Sequence, residues 1–344
     1  INKYYVYQEN LLKRKEDVIR LIDEKGLLTD ELKTSILKAE KLVEVEDIYR
    51  PFKEKKKTKA TDAINAGLEP LAKMIMSFPI TGSYDALTKK FINEKVPDMQ
   101  KALEGAGYII AEYISDNAYY RKWIRSFLYK EGIISTKIKK DANDEKKTYE
   151  MYYDYTENIK YIKPHRVLAI NRAENEKVIT VSIKVDDDKI LEFLSSKIIK
   201  NKESFVCELV TDAIKDSYKR LIFPSVEREV RSELSDHAEE VAIENFSQNL
   251  ESLLMQKPIK DKTVLALDPG YTNGCKLAVI DKTGKYIEST VIKPFASTDA
   301  NLTNSKATLL LLIKKYNVDI IAIGNGTASR ESEKFISNMI KKYN

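Results

Sequence analysis

The sequence predicts a mainly α-helical N-terminal multi-helix scaffold with a small β-hairpin element, followed by a partial α/β domain. Three observations carry that prediction. Apolar residues recur at three- and four-residue steps through most of the first 258 positions. One run, Ile179-Thr-Val-Ser-Ile-Lys-Val185, alternates with period two instead. From about Lys260 onward, apolar strands are separated by Pro, Gly and Asp-Lys-Thr-Gly punctuation.

Composition bounds the function classes. A chain of 344 residues can hold two or more domains with cores of their own. Its 43% hydrophobic content excludes wholesale disorder, and 32% charged residues fits a helix-rich protein with solvated faces. Lys and Arg number 58 against 53 Asp and Glu, a net +5 that permits nucleic-acid binding without establishing it. Cys207 and Cys275 lie far apart and form no CxxC, which suits a reducing compartment and gives no zinc site. No apolar run nears a membrane span, the longest being Leu309–Ile313, so no membrane partner is expected. The chain opens Ile1-Asn-Lys, with neither a signal peptide nor an initiating Met. The expectation is a fragment of a longer cytoplasmic protein.

Residues 1–62 read as a helical segment with a basic linker. A helix over 4–25 is closed by Gly26, and Thr29 caps a second helix carrying Leu32, Ile36 and Leu42. The pair makes a helical hairpin. Tyr4, Tyr5 and Tyr7 suit helix packing better than base stacking. Pro51 removes a donor and restricts Arg50, so the helix ends there and the chain runs extended. Lys53, Lys55, Lys56, Lys57 and Lys59 follow, five lysines in seven positions. Such a run can neutralise phosphates; a solvated linker is the simpler account of the charge alone.

Residues 63–258 read as a helical scaffold with a small β element and a long connecting helix. Residues 84–131 are mostly helical, with Trp123 in a core or interface. Lys137–Lys147 reads as a mobile loop and secondary phosphate contact. The tyrosines over 149–155 lie among Glu150, Asp154 and Glu157, which oppose phosphate, so packing is their role. Val167–Ile170 is the expected strand partner for Ile179–Val185. Asp186-Asp-Asp188 starts a helix through its dipole. Ser225 is the expected cap of a long helix with Val226, Val230, Leu234, Val241 and Leu254 on its apolar side. His165 and His237 are isolated and make neither a triad nor a metal site.

Residues 259–344 begin with a buried strand ending at Asp268. A turn through Gly270 and Gly274 leads to a second strand, and a third covers 285–292. A helix over 301–316 and a fourth strand over 319–324 follow, then Gly324-Asn325-Gly326-Thr327 at a strand-to-helix turn. Backbone amides there could hold a phosphate, but the stretch lacks the Lys of a P-loop. Tight turns explain both glycines more simply.

Several blocks resemble the Tex family. They are Asp47-Ile-Tyr-Arg-Pro51-Phe-Lys53, Ala63-Ile-Asn-Ala-Gly-Leu-Glu-Pro-Leu71, Pro164-His-Arg166 with Leu168-Ala, and Pro224-Ser225 with Glu227-Arg228. The last is Gly324-Asn-Gly-Thr-Ala-Ser-Arg-Glu331. The 263–292 meander is similar to that family's RNase H-like (YqgF) domain. The resemblance implies a transcription accessory factor that binds RNA and/or DNA, much of it through C-terminal modules outside this chain, and that meets the transcription machinery. It also marks Asp268 as a vestigial first metal-binding carboxylate. Asn325 stands where a nuclease would place a charged ligand, so no metal site or cofactor is expected. A Mg²⁺- or Mn²⁺-dependent nuclease or junction resolvase using Asp268 remains the alternative, and a protein-interaction platform is a third reading.

Overall fold

The computed structural model describes residues 2–54, 57–257, 259–295 and 298–343, which fall into two compact units, 1–248 and 249–344. In the first, helix α1 (Asn2–Asp23) ends before Gly26, whose φ is +68°. Helix α2 (Asp30–Lys38) starts where the Thr29 hydroxyl accepts from the Leu32 amide at 3.2 Å, as the cap signal predicts. The second helix does not carry Leu42. It stops at Lys38, because the Glu44 carboxylate accepts from the Glu40 and Lys41 amides and starts α3 (Leu42–Tyr49) separately. Leu11, Val18, Ile22, Ile36, Val45 and Tyr49 close a small core among these helices. Pro51 falls in a single 3₁₀ turn, Arg50–Phe52, and the residue after it, Lys53, is extended.

Helices α4 (Lys59–Asn65), α5 (Glu69–Ile75) and α6 (Tyr84–Thr88) pack on α7 (Met99–Ser115), which leads into α8 (Ala118–Glu131). Gly105 lets α7 lie close to the loop before α5: a Cβ there would stand 2.4 Å from Leu68 Cδ1. Leu71, Ile75, Ile110, Ile124 and Leu128 are fully buried in the main core. At about 25 cal/mol per Å² of apolar surface, such burial is the largest stabilising contribution here. Trp123 stacks on both Phe127 and Phe193 at the edge of this core.

Strands β1 (Ile133–Ile138), β2 (Asp154–Asn158) and, later, β3 (Ile179–Lys184) form an antiparallel sheet in the order β2-β1-β3. The Lys137–Lys147 stretch therefore starts inside β1. Its far end is tied by Asp144, whose carboxylate accepts from the Thr148 and Tyr149 amides at 2.8 Å. Tyr149 and Tyr152 are buried, in keeping with packing. Val167–Ile170 are not a strand. They lie in helix α9 (Pro164–Asn175), where Pro164 occupies the first turn and loses no hydrogen bond; β1 is the partner of β3.

Helix α10 (Asp187–Ile198) starts at the acidic trio as expected, and Asp186 also caps it, its carboxylate accepting from the Lys189 amide at 3.3 Å. Helix α11 (Cys207–Asp216) runs through a π-helical turn, Ser217–Ile222, into α12 (Phe223–Leu254). Ser225 therefore caps nothing, since the backbone before it is already helical.

The second unit is a four-stranded sheet in the order β6-β5-β4-β7 with two helices. Strands β4 (Val264–Asp268), β5 (Cys275–Ile280) and β6 (Tyr286–Ile292) form the predicted antiparallel meander. Helix α13 (Asp299–Tyr316) carries the chain across to β7 (Ile320–Ile323), which pairs parallel with β4. Helix α14 (Ser329–Tyr343) follows. Leu265, Leu267, Leu277, Val279, Leu309, Leu312 and Ile336 make the core.

Candidate functional site

Because β4 and β7 run parallel, their carboxyl ends lie side by side, and this brings Asp268 and the Gly324–Thr327 turn together. The Gly324 amide donates to Leu267 O at 2.9 Å. A Cβ on Gly324 would stand 3.1 Å from the Pro269 ring and 3.8 Å from Asp268 Oδ1, so the carboxylate rests against this turn. Gly270 and Gly274 face each other across the β4–β5 loop. A Cβ on Gly270 would meet Gly274 O at 2.7 Å, and one on Gly274, where φ is +80°, would meet Ile292 O at 2.6 Å. Both positions need glycine. Gly326 does not: its φ is not positive, and a Cβ would meet nothing within 4 Å. The tight-turn explanation thus fails for that residue.

The loop is tied to the first turn of α14. Cys275 and Ser332, both buried, stand 3.9 Å apart, and partial desolvation and the nearby Glu331 carboxylate raise the Tyr271 phenol pKa. Asp268 is exposed and accepts no hydrogen bond among the described residues. No group of three or more His, Cys, Asp or Glu able to hold a metal ion occurs among the described residues.

The lysine run lies between α3 and α4. Lys55 and Lys56 lie outside the described residues. Lys53 and Lys57 are exposed and form no ion pair among the described residues. Lys59 is used within the fold. Its Nζ donates to Tyr108 Oη at 3.2 Å and sits 4.6 Å from that ring's centre, with the Arg220 guanidinium 5.6 Å from the same centre. Tyr108 in turn donates to Glu104 at 2.7 Å.

Sequence reading missed a buried ionic cluster beside this segment. Asp47 of α3 accepts from Arg121 Nε at 2.6 Å and Arg125 Nη2 at 2.7 Å, both on α8. Glu229 of α12 accepts from the same two arginines at 2.5 and 2.6 Å, and Ser225 Oγ accepts from Arg121 at 2.9 Å. Arg121 is 0% exposed and Asp47 4%. Burial raises the Glu229 pKa, but Arg121 and Arg125 outweigh it and hold the carboxyl below its ordinary value. One signal was available: Arg121 and Arg125 share an α8 face with Ile124 and Leu128, a stripe otherwise apolar.

Residues 83–246 match the family described as Tex central region-like, and residues 262–344 the Tex protein YqgF-like domain. The chain is 48% identical to the protein YdcI of Bacillus subtilis over 99% of its own length and 48% of that protein's. It is 34% identical to the transcriptional accessory protein Tex of Neisseria gonorrhoeae, covering 97% of this chain and 44% of that one. It is 30% identical to the human S1 RNA-binding domain-containing protein 1, with 96% of this chain and 34% of that one covered. The chain thus spans about half or less of the curated relatives it matches. No helix among the described residues is long and apolar enough to cross a membrane.

Proposed function

The chain belongs to the Tex family, and from that premise we propose that it is the scaffold region of a nucleic-acid-associated transcription accessory factor. Within it, the segment between α3 and α4 is a phosphate-contact surface. The observation that carries this local assignment is the exposure of Lys53 and Lys57 without carboxylate partners among the described residues. Unpaired ammonium groups release counterions on meeting a phosphate backbone, which makes affinity fall with salt. Three nearby carboxylates are committed elsewhere: Asp47 and Glu229 to arginines, Glu104 to Lys101 and Tyr108. The names of two relatives, one a transcriptional accessory protein and one an S1 RNA-binding domain-containing protein, support the same class.

The test is fluorescence anisotropy with single-stranded RNA and duplex DNA across a salt series. Replacing Lys53, Lys57 and Lys59 with Glu is expected to lower the log–log salt slope by about 2. An unchanged slope and affinity would remove the lysine segment from the interface.

A further inference from the structure

A second place in the first unit, apart from the lysine segment, has the chemistry of a ligand site. Between α5, the end of α7, the start of α8 and the end of α10 lies a cavity of about 410 Å³, within the size range of small-molecule sites. Its floor is apolar: Ile110, Ile114 and Ile198 are 0%, 3% and 4% exposed. Two tyrosines flank it. Tyr120 is held by contacts with Tyr119 and Phe193 at 5.9 and 6.3 Å between ring centres, while Tyr113, 58% exposed, stands at the mouth.

The charged groups that line the cavity are of one sign. Lys73, Lys197 and Lys200 line the cavity, and no carboxylate does. Lys73 is shared with Glu69 at 2.7 Å, whereas Lys197 and Lys200 form no ion pair among the described residues. The dipole of α10 accounts for a lysine in its last turn, Lys197. It does not account for Lys200 beyond the helix end, or for an acid-free lining in a chain with 53 Asp and Glu. Asn117 adds a directional group. Its carboxamide oxygen accepts from the Tyr119 and Tyr120 amides at 3.0 and 3.2 Å, leaving its NH₂ without a partner among the described residues.

We propose that this cavity binds a nucleotide, its base between Tyr113 and the isoleucine floor and its phosphate on Lys197 and Lys200. A flat heterocycle uses all the surfaces present: rings and isoleucines for its faces, and the Asn117 amide for an acceptor on its edge. An acyl chain with the same anionic end would leave the amide and the tyrosine hydroxyls unmatched. The occupant is either a free mononucleotide or one unit of a single-stranded RNA. The proposal does not depend on the lysine run.

Isothermal titration of the chain with adenosine 5′-monophosphate, a short oligoadenylate and inorganic phosphate tests it. Saturable binding of the nucleotide, the oligomer or both is expected, with none for phosphate alone. Binding of the mononucleotide assigns the free source, and binding of the oligomer alone assigns the strand. Lys197→Glu with Lys200→Glu is expected to weaken binding by about tenfold or more, and Tyr113→Ala by about fivefold. All three side chains are exposed, so folding, checked by circular dichroism, is expected to be kept. Mononucleotide affinity is expected to survive Lys53→Glu, Lys57→Glu and Lys59→Glu. Absence of saturable binding by either adenylate, or binding that both pocket variants leave unchanged, would overturn the proposal. Oligomer binding lost only on the Lys53–Lys59 reversals would do so too, while sustaining the lysine-run reading.

Discussion

Replacing Asp47 with Ala removes the one carboxylate that the α3 side contributes to the buried cluster. Arg121, 0% exposed, would lose its Nε partner at 2.6 Å, and Arg125 its Nη2 partner at 2.7 Å. Both would keep Glu229, so two guanidinium charges would share one carboxylate in a site shielded from water. Breaking a buried ion pair in this way costs about 3–5 kcal/mol. For a unit of residues 1–248, each kcal/mol shifts the melting temperature by about 2 °C. The expected fall is then roughly 6–10 °C in the transition of that unit, read by scanning calorimetry. Adding Arg121→Met is expected to recover part of the loss, because the stranded charge goes with it. A fall below roughly 2 °C for Asp47→Ala, or a double variant whose loss is the plain sum of the singles, would refute the cluster as a buried, coupled unit.

Two further outcomes follow from the same geometry. Glu229 titrates below its ordinary value in the folded protein, so its contribution to stability is present above the unfolded carboxyl pKa and is lost as pH falls through the folded one. Melting of the wild type is therefore expected to weaken below about pH 4.5, and Glu229→Gln to flatten that dependence; an acid limb of equal steepness in the variant would count against it. Gly274→Ala places a Cβ 2.6 Å from Ile292 O at φ +80°. A loss of about 1–3 kcal/mol is expected in urea unfolding of the second unit, and an unchanged midpoint would mean that the loop is not held as described.

What the sequence disclosed depended on how local the signal was. Gly26, Thr29, Asp186 and the 263–292 meander were legible because caps, turns and strand alternation act over a few residues. Val167–Ile170 misled because a short apolar run fits a strand and a buried helix equally well, and the deciding cue was Pro164 in a first turn. Ser225 resembled a cap only because the π-helical turn before it, which continues the helix backward, leaves no sequence mark. The proximity of Asp268 and Gly324 follows from parallel pairing of β4 and β7 across a crossover helix, and family resemblance alone pointed to it. The ionic cluster joins residues 74 to 108 positions apart, beyond the reach of any spacing rule. Only the paired arginines in an apolar stripe hinted at it.

Trp123, stacked on Phe127 and Phe193, is the chain's single tryptophan. Its emission is therefore a private channel for residues 1–248, while peptide ellipticity is summed over both units. A denaturation curve followed at the two wavelengths need not coincide even when each unit unfolds in one cooperative step. A gap between the curves would record two separate melts, with a state in which one unit alone is folded, and would be no sign of an intermediate inside either unit.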